Sequence, residues 1–558
     1  MADADRVQVN INGDWDDILT DEVKGLTASL QDEFGSRIAG LREARLDMID
    51  AAVHRGVQPG HLAPSVATTS EWSVPDMPDE LWNPGIEISG PAHMTSMFIN
   101  ALNPGPEGER AAGDLDDDED SASHLLADTL LAARNRKGAV DRSLTFYNEA
   151  RDRHYSIQDG EIPFFMHRER GLHLDDPDFL VDGEPVSATI LGTLLTLYHA
   201  GQAQTERGQG VYFYLPKTES PEEAALYRDL FASIQNRVPR LKDATIRGIL
   251  LVESLPLVWT MEESLHALGP YAAGLNAARW DLKASLLEYV MADRASLWPD
   301  RFGVAVPTTP FIANTFRRLV AVCMKHDAVP IGGMATALPH RDQAVNEEAA
   351  ATVRGDKTWE AEQGFLRGWV AHIYHMKSAG DPFKELRNSG WEPSPDMANP
   401  DNYPVNIETP EGPVTQEGTR QNARTLIEYV EGWLGGRGAK GIDRLAGRPG
   451  RRPALMEDLA TARISVAQMA QRVIHEAQAE DTGSTHSLAL LKSIITDEGE
   501  DIIRLLGPNA PASMVQRYQD AVKISMQWLK NYTEFNFRSL GSYSRADLAA
   551  IASAEDAI

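Results

Sequence analysis

The sequence predicts an α/β protein in which a closed (β/α)8 barrel lies between two helical regions. Three observations lead to this prediction: helical spacing of apolar residues near the N-terminus, eight short apolar runs in the middle of the chain, and helical periodicity that continues to the C-terminus. The 558 residues, of which 42% are hydrophobic and 24% charged, are enough for a large core and more than one domain.

The N-terminal region is predicted to be helical. Between Ile18 and Ile49, apolar side chains recur mostly at steps of three and four residues, as they do on the buried face of a helix. This pattern extends over residues 14–58, and a turn of Trp-Asn-Pro-Gly follows at residues 82–85. We therefore expect a helical N-terminal region over residues 1–84.

The middle of the chain carries eight apolar runs that alternate with amphipathic segments. The runs lie at residues 86–90, 111–115, 162–166, 210–215, 246–252, 273–276, 303–306 and 328–331. Strands that alternate with helical segments over roughly 250 residues favour a closed parallel barrel over an open sheet. The second run lies in the acidic stretch 107–120, which taken alone is typical of a solvated charged segment.

Residues 379–418 separate this barrel from the C-terminal region. They bring Pro, Asn and Gly together, which indicates a linker or an ordered excursion, and a domain boundary in either case. Helical periodicity then returns and persists to the C-terminus. The expected organisation is a helical region over 1–84, a barrel over 85–378, the linker, and an all-helical domain over 419–558.

The composition bears on partners and compartment. The chain has 82 acidic and 53 basic residues, which give a formal net charge of −29. Its densest basic run, at residues 447–452, is short. Nucleic acid is therefore disfavoured as a partner, because binding to a phosphate backbone needs a concentrated basic surface. No stretch of 18 uncharged apolar residues indicates a membrane span. An N-terminus that is acidic, unlike a signal peptide, and a single cysteine, Cys323, predict a cytoplasmic protein without disulfides.

Polar residues that end the apolar runs are the candidates for chemistry, because the active site of a parallel barrel lies at the carboxyl ends of its strands. Arg168 and Arg170 follow the third run, Glu253 ends the fifth, and Asp281 follows the sixth. Glu253 and Asp281 come from neighbouring strands, with no Cys or His nearby in the sequence. Such an oxygen-only pair suits Mg2+ and leaves positions for water and substrate oxygens.

Each of these residues also has an ordinary structural interpretation. Glu253 would then be an exposed acidic residue of a loop, or one that lies beside a helix N-terminus. The two arginines would form ion pairs with nearby acidic residues on the surface. Asp458 lies in or near the first turn of a predicted helix, where the helix dipole favours an acid. The aspartates at 114–118 are typical of a solvated charge run. Spacing alone does not separate these interpretations.

Five sequence blocks resemble one enzyme family. They begin at Gly210, Gly274, Ile331, Gly368 and Leu455 and read GVYFYLPKTES, GLNAARWD, IGGMA, GWVAH and LMEDLATA. Shorter blocks agree with them: Ser-Gly-Pro at 89–91, RERGLH at 168–173 and Asn-Ala-Arg at 422–424. In their order along residues 85–475, these blocks resemble malate synthase in its shorter form, without a large inserted α/β domain.

The resemblance implies an activity and an architecture. Malate synthases are acyltransferases of the glyoxylate cycle that use Mg2+ to join acetyl-CoA to glyoxylate, and they hydrolyse the malyl-CoA formed to malate and CoA. The family fold is a TIM barrel with an N-terminal helical clasp and a C-terminal helical plug. Acetyl-CoA and glyoxylate are thus the expected small-molecule partners. The alternative is a related synthase or lyase that acts on another 3-hydroxyacyl-CoA, such as citramalyl-CoA or methylmalyl-CoA.

The resemblance also implies roles for individual residues. Glu253 and Asp281 match the Mg2+ ligands, Asp458 matches the base on the plug, and Arg168 matches the catalytic arginine, with Arg170 as its competitor for that role. The residues expected to bind the glyoxylate carboxylate through their backbone N–H groups are Arg279, Trp280 and Asp281. Those expected behind the site are Asp116, Asp117 and Glu457.

The chain departs from the family pattern on the side where the family binds CoA. Asp118 stands where a neutral Ser is usual, and Ile373 replaces the Pro that usually follows the block GWVAH. The candidates for CoA contacts are Asp118, His372 and Met456. An added carboxylate on the path of an anionic cofactor predicts a raised KM for acetyl-CoA that salt partly screens.

Overall fold

The computed structural model describes residues 3–446 and 452–554, and its centre is a closed barrel of eight parallel strands. The strands are β1 (Gly85–Pro91), β2 (Gly113–Asp117), β3 (Phe164–Arg168), β4 (Val211–Leu215), β5 (Ile246–Val252), β6 (Ala272–Ala277), β7 (Val329–Ala335) and β8 (Arg367–Val370). Each strand pairs with the next along the chain, and β8 pairs with β1. The predicted (β/α)8 barrel is confirmed.

One predicted strand is wrong, and one strand was missed. Residues 303–306 form no strand, because a 3-10 turn begins the segment and Val304 and Val306 pack into the core as loop residues. An apolar run of four residues does not distinguish a buried loop from a strand. The missed strand is β8, which begins with a charged residue. Arg367 is nevertheless buried, because its guanidinium pairs with a glutamate of β1 inside the barrel.

The aspartates at 114–118 are buried, so their interpretation as a solvated charge run is wrong. All five residues of β2 are buried. Arg136 on the following helix pairs with Asp116, and Arg168 at the end of β3 pairs with Asp117. Buried carboxylates need such partners, since an uncompensated charge in the interior opposes folding. Because side chains alternate along a strand, Asp116 faces the surrounding helices and Asp117 faces the barrel mouth.

Helices surround the barrel. Those between and after its strands are Thr95–Leu102, Leu126–Val140, Ala188–Thr196, Gln202–Glu206, Pro221–Arg237, Met261–Leu268, Arg279–Tyr289, Pro310–Lys325, Gln343–Glu362 and Met376–Asn388. The last of them crosses the boundary expected at residue 378. Two 3-10 turns, Pro395–Ala398 and Pro400–Asn402, follow before the next helix begins at Gln416.

A helix of 35 residues, Asp21–Arg55, packs against the barrel and is here called the clasp helix. It begins after Thr20, whose side chain accepts a hydrogen bond from the backbone N–H of Val23, and it ends at Gly56, which has a φ of 66°. Its buried face belongs to the same hydrophobic core as the barrel helices. A four-residue helix, Val66–Thr69, is the only other α-helix described before β1.

The C-terminal region is helical, as predicted, but it also contains two short strands. Its helices are Gln416–Leu434, Leu459–Ile474, Leu488–Leu506, Ala512–Thr533 and Arg545–Ser553, the second of which is here called the plug helix. The antiparallel strands Lys440–Ile442 and Leu455–Glu457 pair with each other. The backbone N–H of Met456 also donates to the carbonyl of Thr336, just beyond β7, at 2.8 Å. This contact holds the start of the plug helix at the barrel mouth.

Among the described residues, five further short strands lie outside the barrel, and the basic run, the helices and the cysteine can be compared with what the composition predicted. These strands are Val7–Val9, Thr145–Asn148, Arg153–Ser156, Asp175–Val181 and Glu184–Ser187. The basic run at 447–452 lies outside the described residues except for Arg452. Over 3–446 and 452–554, no helix combines the length and the apolar character that crossing a bilayer requires. Cys323 is buried and free.

Candidate active site

Three carboxylates meet at the carboxyl ends of β2, β5 and β6. Asp120 follows β2, Glu253 follows β5, and Asp281 lies in the first turn of the helix after β6. All three are buried, and one oxygen of each lies within 4.8 Å of the others. Glu253 accepts a hydrogen bond of 2.6 Å from the backbone N–H of Lys217, whereas its Oε2 atom is buried with no hydrogen-bond partner among the described residues. An oxygen-only donor set with an unpaired buried oxygen fits a divalent cation such as Mg2+.

The electrostatics of this carboxylate cluster point the same way. Burial raises the pKa of Glu253 and, together with the charge of Asp120, holds the pKa of Asp281 well above its usual range. Burial also acts to raise the pKa of Asp120, but Lys217 and Arg168 outweigh it and lower that pKa. The Nζ atom of Lys217 lies 2.9 Å from Asp120 and 3.6 Å from Asp281. The cluster therefore still favours additional positive charge.

Arg168 ends β3 beside the cluster. It is the register partner of Asp117 on β2, and its Nε and Nη2 atoms donate to the two oxygens of that carboxylate at 2.7 and 2.6 Å. This two-point contact fixes the guanidinium plane and leaves Nη1 3.8 Å from Asp120. Arg170 lies elsewhere, since its guanidinium pairs with Asp176 at 2.6 Å and does not line the mouth of the barrel.

Asp458 reaches the same place from the C-terminal domain. It is the N-cap residue of the plug helix, where its Oδ1 accepts a hydrogen bond of 3.4 Å from the backbone N–H of Thr461. It is half-buried and lines a narrow cleft between barrel and plug together with Asp117 and Arg168. Burial, and next the charge of Asp120, raises the pKa of Asp458 to about 7. The side chain is therefore both a helix cap and a carboxyl group suited to taking a proton near neutral pH.

The helix Arg279–Tyr289 begins at the cluster. Its N-cap residue, Ala278, provides no side-chain cap, so the N–H groups of the first turn are not satisfied by a cap. The positive end of a helix favours a bound carboxylate. Trp280 follows in this turn, and Lys283 and Arg279 lie 4.9 and 5.3 Å from the centre of its ring. This corner of the site suits the anionic end of a small acid.

The residues predicted to contact CoA differ in position. Met456 lines the cleft, whereas half-buried His372 accepts a hydrogen bond from the backbone of its own turn and does not line it. Asp118 is 1% exposed and accepts a hydrogen bond of 2.7 Å from the hydroxyl of Thr129. The expectation of a salt-screened effect at Asp118 is wrong, because the alternation that turns Asp117 into the mouth turns Asp118 toward a helix.

Two residues expected behind the site do lie there. Asp116 binds the ring of His167 at 2.7 Å and the guanidinium of Arg136 at 2.5 Å, on the outer face of the barrel wall. Glu457 is buried next to Asp458, and the charge of Arg301 partly offsets the rise that burial causes in its pKa. Neither side chain lines the cleft. Both support the backbone that carries the site.

Two residues around the cluster were not predicted. Asp120 lies three residues beyond β2, and the only signal in the sequence was its place in the acidic stretch after a strand. Arg463, on the plug helix, donates to Asp281 at 3.3 Å and pairs with Glu288. Its partner Asp281 lies 182 positions earlier in the chain, so no local spacing indicates this contact.

Comparison with known proteins gives consistent matches along the chain. The family model for the malate synthase TIM barrel domain matches residues 164–392, and that for the malate synthase C-terminal domain matches residues 413–545. The malate synthase of Myxococcus xanthus (strain DK1622) is 32% identical over 542 residues, which cover 95% of this chain and 94% of the relative. Malate synthase A of Escherichia coli (strain K12) is 29% identical over 530 residues, which cover 94% of this chain and 95% of the relative.

Proposed function

The chain belongs to the malate synthase family, and from this premise we propose that its substrates are acetyl-CoA and glyoxylate. Its activity is that of a malate synthase, an acyltransferase of the glyoxylate cycle. The observation that carries the proposal is the convergence of two domains on one cleft, which Arg168 lines from the barrel and Asp458 lines from the plug helix. The carboxylate cluster lies next to this cleft, with Asp120 3.8 Å from Nη1 of Arg168. Condensation would give malyl-CoA, and its hydrolysis would give malate and CoA.

The carboxylate cluster is the proposed Mg2+ site. Asp120, Glu253 and Asp281 would hold the ion, and the unpaired buried oxygen of Glu253 supports this assignment. When bound, Mg2+ would polarise the aldehyde group of glyoxylate and offset the approach of two anionic substrates. The uncapped first turn of the helix Arg279–Tyr289 would receive the glyoxylate carboxylate.

Asp458 is the proposed base. A thioester methyl group is a very weak carbon acid, so its deprotonation needs a base placed beside it and stabilisation of the enolate oxygen as charge develops there. The helix cap uses Oδ1 of Asp458, which leaves Oδ2 to take the methyl proton. A pKa of about 7 keeps a useful fraction of this carboxyl group ionised at neutral pH.

Arg168, rather than Arg170, is the proposed partner of the enolate oxygen. Asp117 binds Nε and Nη2 of Arg168, so Nη1 is the nitrogen left to face the substrate. The methylene carbon of the enolate would then attack the aldehyde carbon of glyoxylate and form the new C–C bond. The aldehyde oxygen would take up a proton and become the hydroxyl group of malyl-CoA. Water would finally cleave the thioester and release CoA as its thiol.

The alternative of a lyase acting on another 3-hydroxyacyl-CoA is not favoured, because the similarity covers the C-terminal domain as well as the barrel. Asp458 belongs to that domain. The cytoplasm remains the proposed compartment, and the single free, buried cysteine is compatible with a reducing environment.

The test is release of CoA thiol from acetyl-CoA, measured with and without glyoxylate and Mg2+. We expect release only when both are present, and loss of release in Glu253→Gln. Glu263→Gln is the matched control, since Glu263 is also a buried glutamate but lies outside the carboxylate cluster. Thiol release that continues without glyoxylate, or that survives Glu253→Gln, would contradict the proposal.

A further inference from the structure

A second cavity lies on the other side of the plug helix from the cleft. It has a volume of about 320 Å³ and is enclosed by the clasp helix, the loops after β4 and β5, the plug helix and residues 537–542. The start of the plug helix is the wall between the two spaces, because Asp458 lines the cleft and the next residue, Leu459, lines the cavity. Within 3–446 and 452–554, no residue lines both spaces.

This cavity is one side chain away from the carboxylate cluster. Lys217 lines it, and its Nζ atom is 2.9 Å from Asp120. Arg463 also lines it and donates to Asp281 at 3.3 Å. Ser254, which directly follows the cluster residue Glu253, completes this part of the wall. These side chains therefore separate a small molecule in the cavity from the cluster, and their movement would open the way between them.

The lining of the cavity holds more cations than carboxylates, whereas the cleft has several apolar side chains beside its charged ones. Five of the side chains that line the cavity are cationic and two are carboxylates, in a chain of net charge −29. The cationic ones are Arg42, Arg45, Lys217, Arg463 and Arg538. The cleft contains Met97, Met334 and Met456 among its lining residues. Such apolar, adaptable side chains accommodate a flexible thioester arm.

We propose that this second space, the anion cavity, is a separate route by which a small carboxylate reaches and leaves the carboxylate cluster while the CoA arm occupies the cleft. The inference rests on the proposed function, with glyoxylate entering and malate leaving as the carboxylates concerned. The cleft has a volume of about 30 Å³ against about 320 Å³ for the anion cavity, so the cavity is the roomier approach toward the cluster for a second reactant. Cations at the opening of the cavity attract anions and raise their rate of association.

Substitutions at the opening test the attraction. Arg42→Gln and Arg538→Gln remove cations from the lining of the anion cavity, where each also pairs with an aspartate. Arg37→Gln is the matched control, because Arg37 lies on the same clasp helix and likewise pairs with an aspartate, but does not line the cavity. We expect the double variant to lower kcat/KM for glyoxylate by about 3- to 10-fold at low ionic strength and by less at high salt. The KM for acetyl-CoA should stay unchanged. Equal behaviour of the double variant and Arg37→Gln would overturn the proposal.

Exchange of bound glyoxylate tests the route without turnover. Radiolabelled glyoxylate is bound to the Mg2+-loaded enzyme, chased with unlabelled glyoxylate in saturating CoA, and followed by rapid filtration. We expect the label to leave the wild type even when CoA is bound. It should leave Ser539→Trp, in which the cavity is narrowed, at least several-fold more slowly. The control Ser389→Trp, at an exposed position outside the cavity, should release the label as fast as the wild type. Label retained by the wild type whenever CoA is bound would show a single opening and overturn the proposal. The proposed function would survive that result, since it fails only if glyoxylate-dependent CoA release is absent.

Discussion

Replacing Asp458 by Asn separates the two roles of this side chain. Asn is as good an N-cap residue as Asp, so the hydrogen bond to the backbone of Thr461 should remain and the free energy of unfolding should change by no more than about 0.5 kcal/mol. What the variant loses is the carboxylate oxygen that takes the methyl proton. Glyoxylate and Mg2+ binding should change little, because the carboxylate cluster is untouched.

The expected loss of rate follows from the worth of a positioned base. Turnover should fall by about two to four orders of magnitude, which corresponds to about 3 to 5 kcal/mol in the activation barrier. The wild-type rate should also fall as the pH is lowered through about 7, because Asp458 must be ionised to accept a proton and its pKa lies there. Mg2+ should shift this midpoint downward, since it offsets the neighbouring negative charge that raises this pKa.

Two measurements decide the case. CoA release gives the turnover, and exchange of the acetyl-CoA methyl protons with solvent reports deprotonation directly. If the wild type shows this exchange, it should disappear in Asp458→Asn. A variant that keeps more than about a tenth of the wild-type rate, against the hundredfold or greater loss expected of a missing base, would reduce Asp458 to a helix cap.

Three further predictions concern the barrel residues. Glu253→Gln should weaken Mg2+ binding at least tenfold in calorimetry while the protein stays folded, and wild-type affinity would remove Glu253 from the ligand set. Arg168→Lys keeps the charge but loses the two-point contact with its carboxylate partner, so turnover should fall about 100-fold; full activity would mean that charge alone suffices. Burial raises the pKa of Asp118 from 3.8 to about 8, so the unfolded chain binds fewer protons than the folded one between these values and stability falls as pH rises. Asp118→Asn should therefore raise Tm more at pH 8 than at pH 5 and leave the KM for acetyl-CoA unchanged, and equal shifts in Tm at both pH values would refute this account.

The parts of the fold that could be predicted are those in which local pattern and burial agree. The strand at 246–252 matches its apolar run residue for residue, because its other residues are buried and uncharged and its one charged residue, Arg247, is only half-buried. Strand β8 could not be found in this way, since Arg367 is buried only by virtue of a partner 280 positions earlier. The acidic β2 was misinterpreted for the same reason, because its counter-charges come from other elements.

The same distinction applies to the site. Glu253 and Asp281 could be proposed from the sequence because each closes an apolar strand, and strand ends converge in a parallel barrel. Asp120 is as near to its strand as Asp281 is, but that strand is itself acidic, so nothing in the sequence distinguishes Asp120 from the carboxylates around it. Arg463 approaches from another domain, and only the docking of the plug helix brings it to Asp281.

The cations around the carboxylate cluster also bear on how the enzyme is assembled. Lys217 and Arg463 lie 3.6 and 3.3 Å from Asp281, and Arg168 lies 3.8 Å from Asp120. The chain thus carries its own counter-charges for carboxylates that would otherwise oppose burial. Barrel and plug can therefore reach their native arrangement before a divalent ion arrives, unlike small metal-binding domains that fold only around their metal. With the proposed Mg2+ site, metal loading would be a reversible step on a finished protein, and the supply of the ion would set the active fraction of the enzyme without changing how much of it is folded.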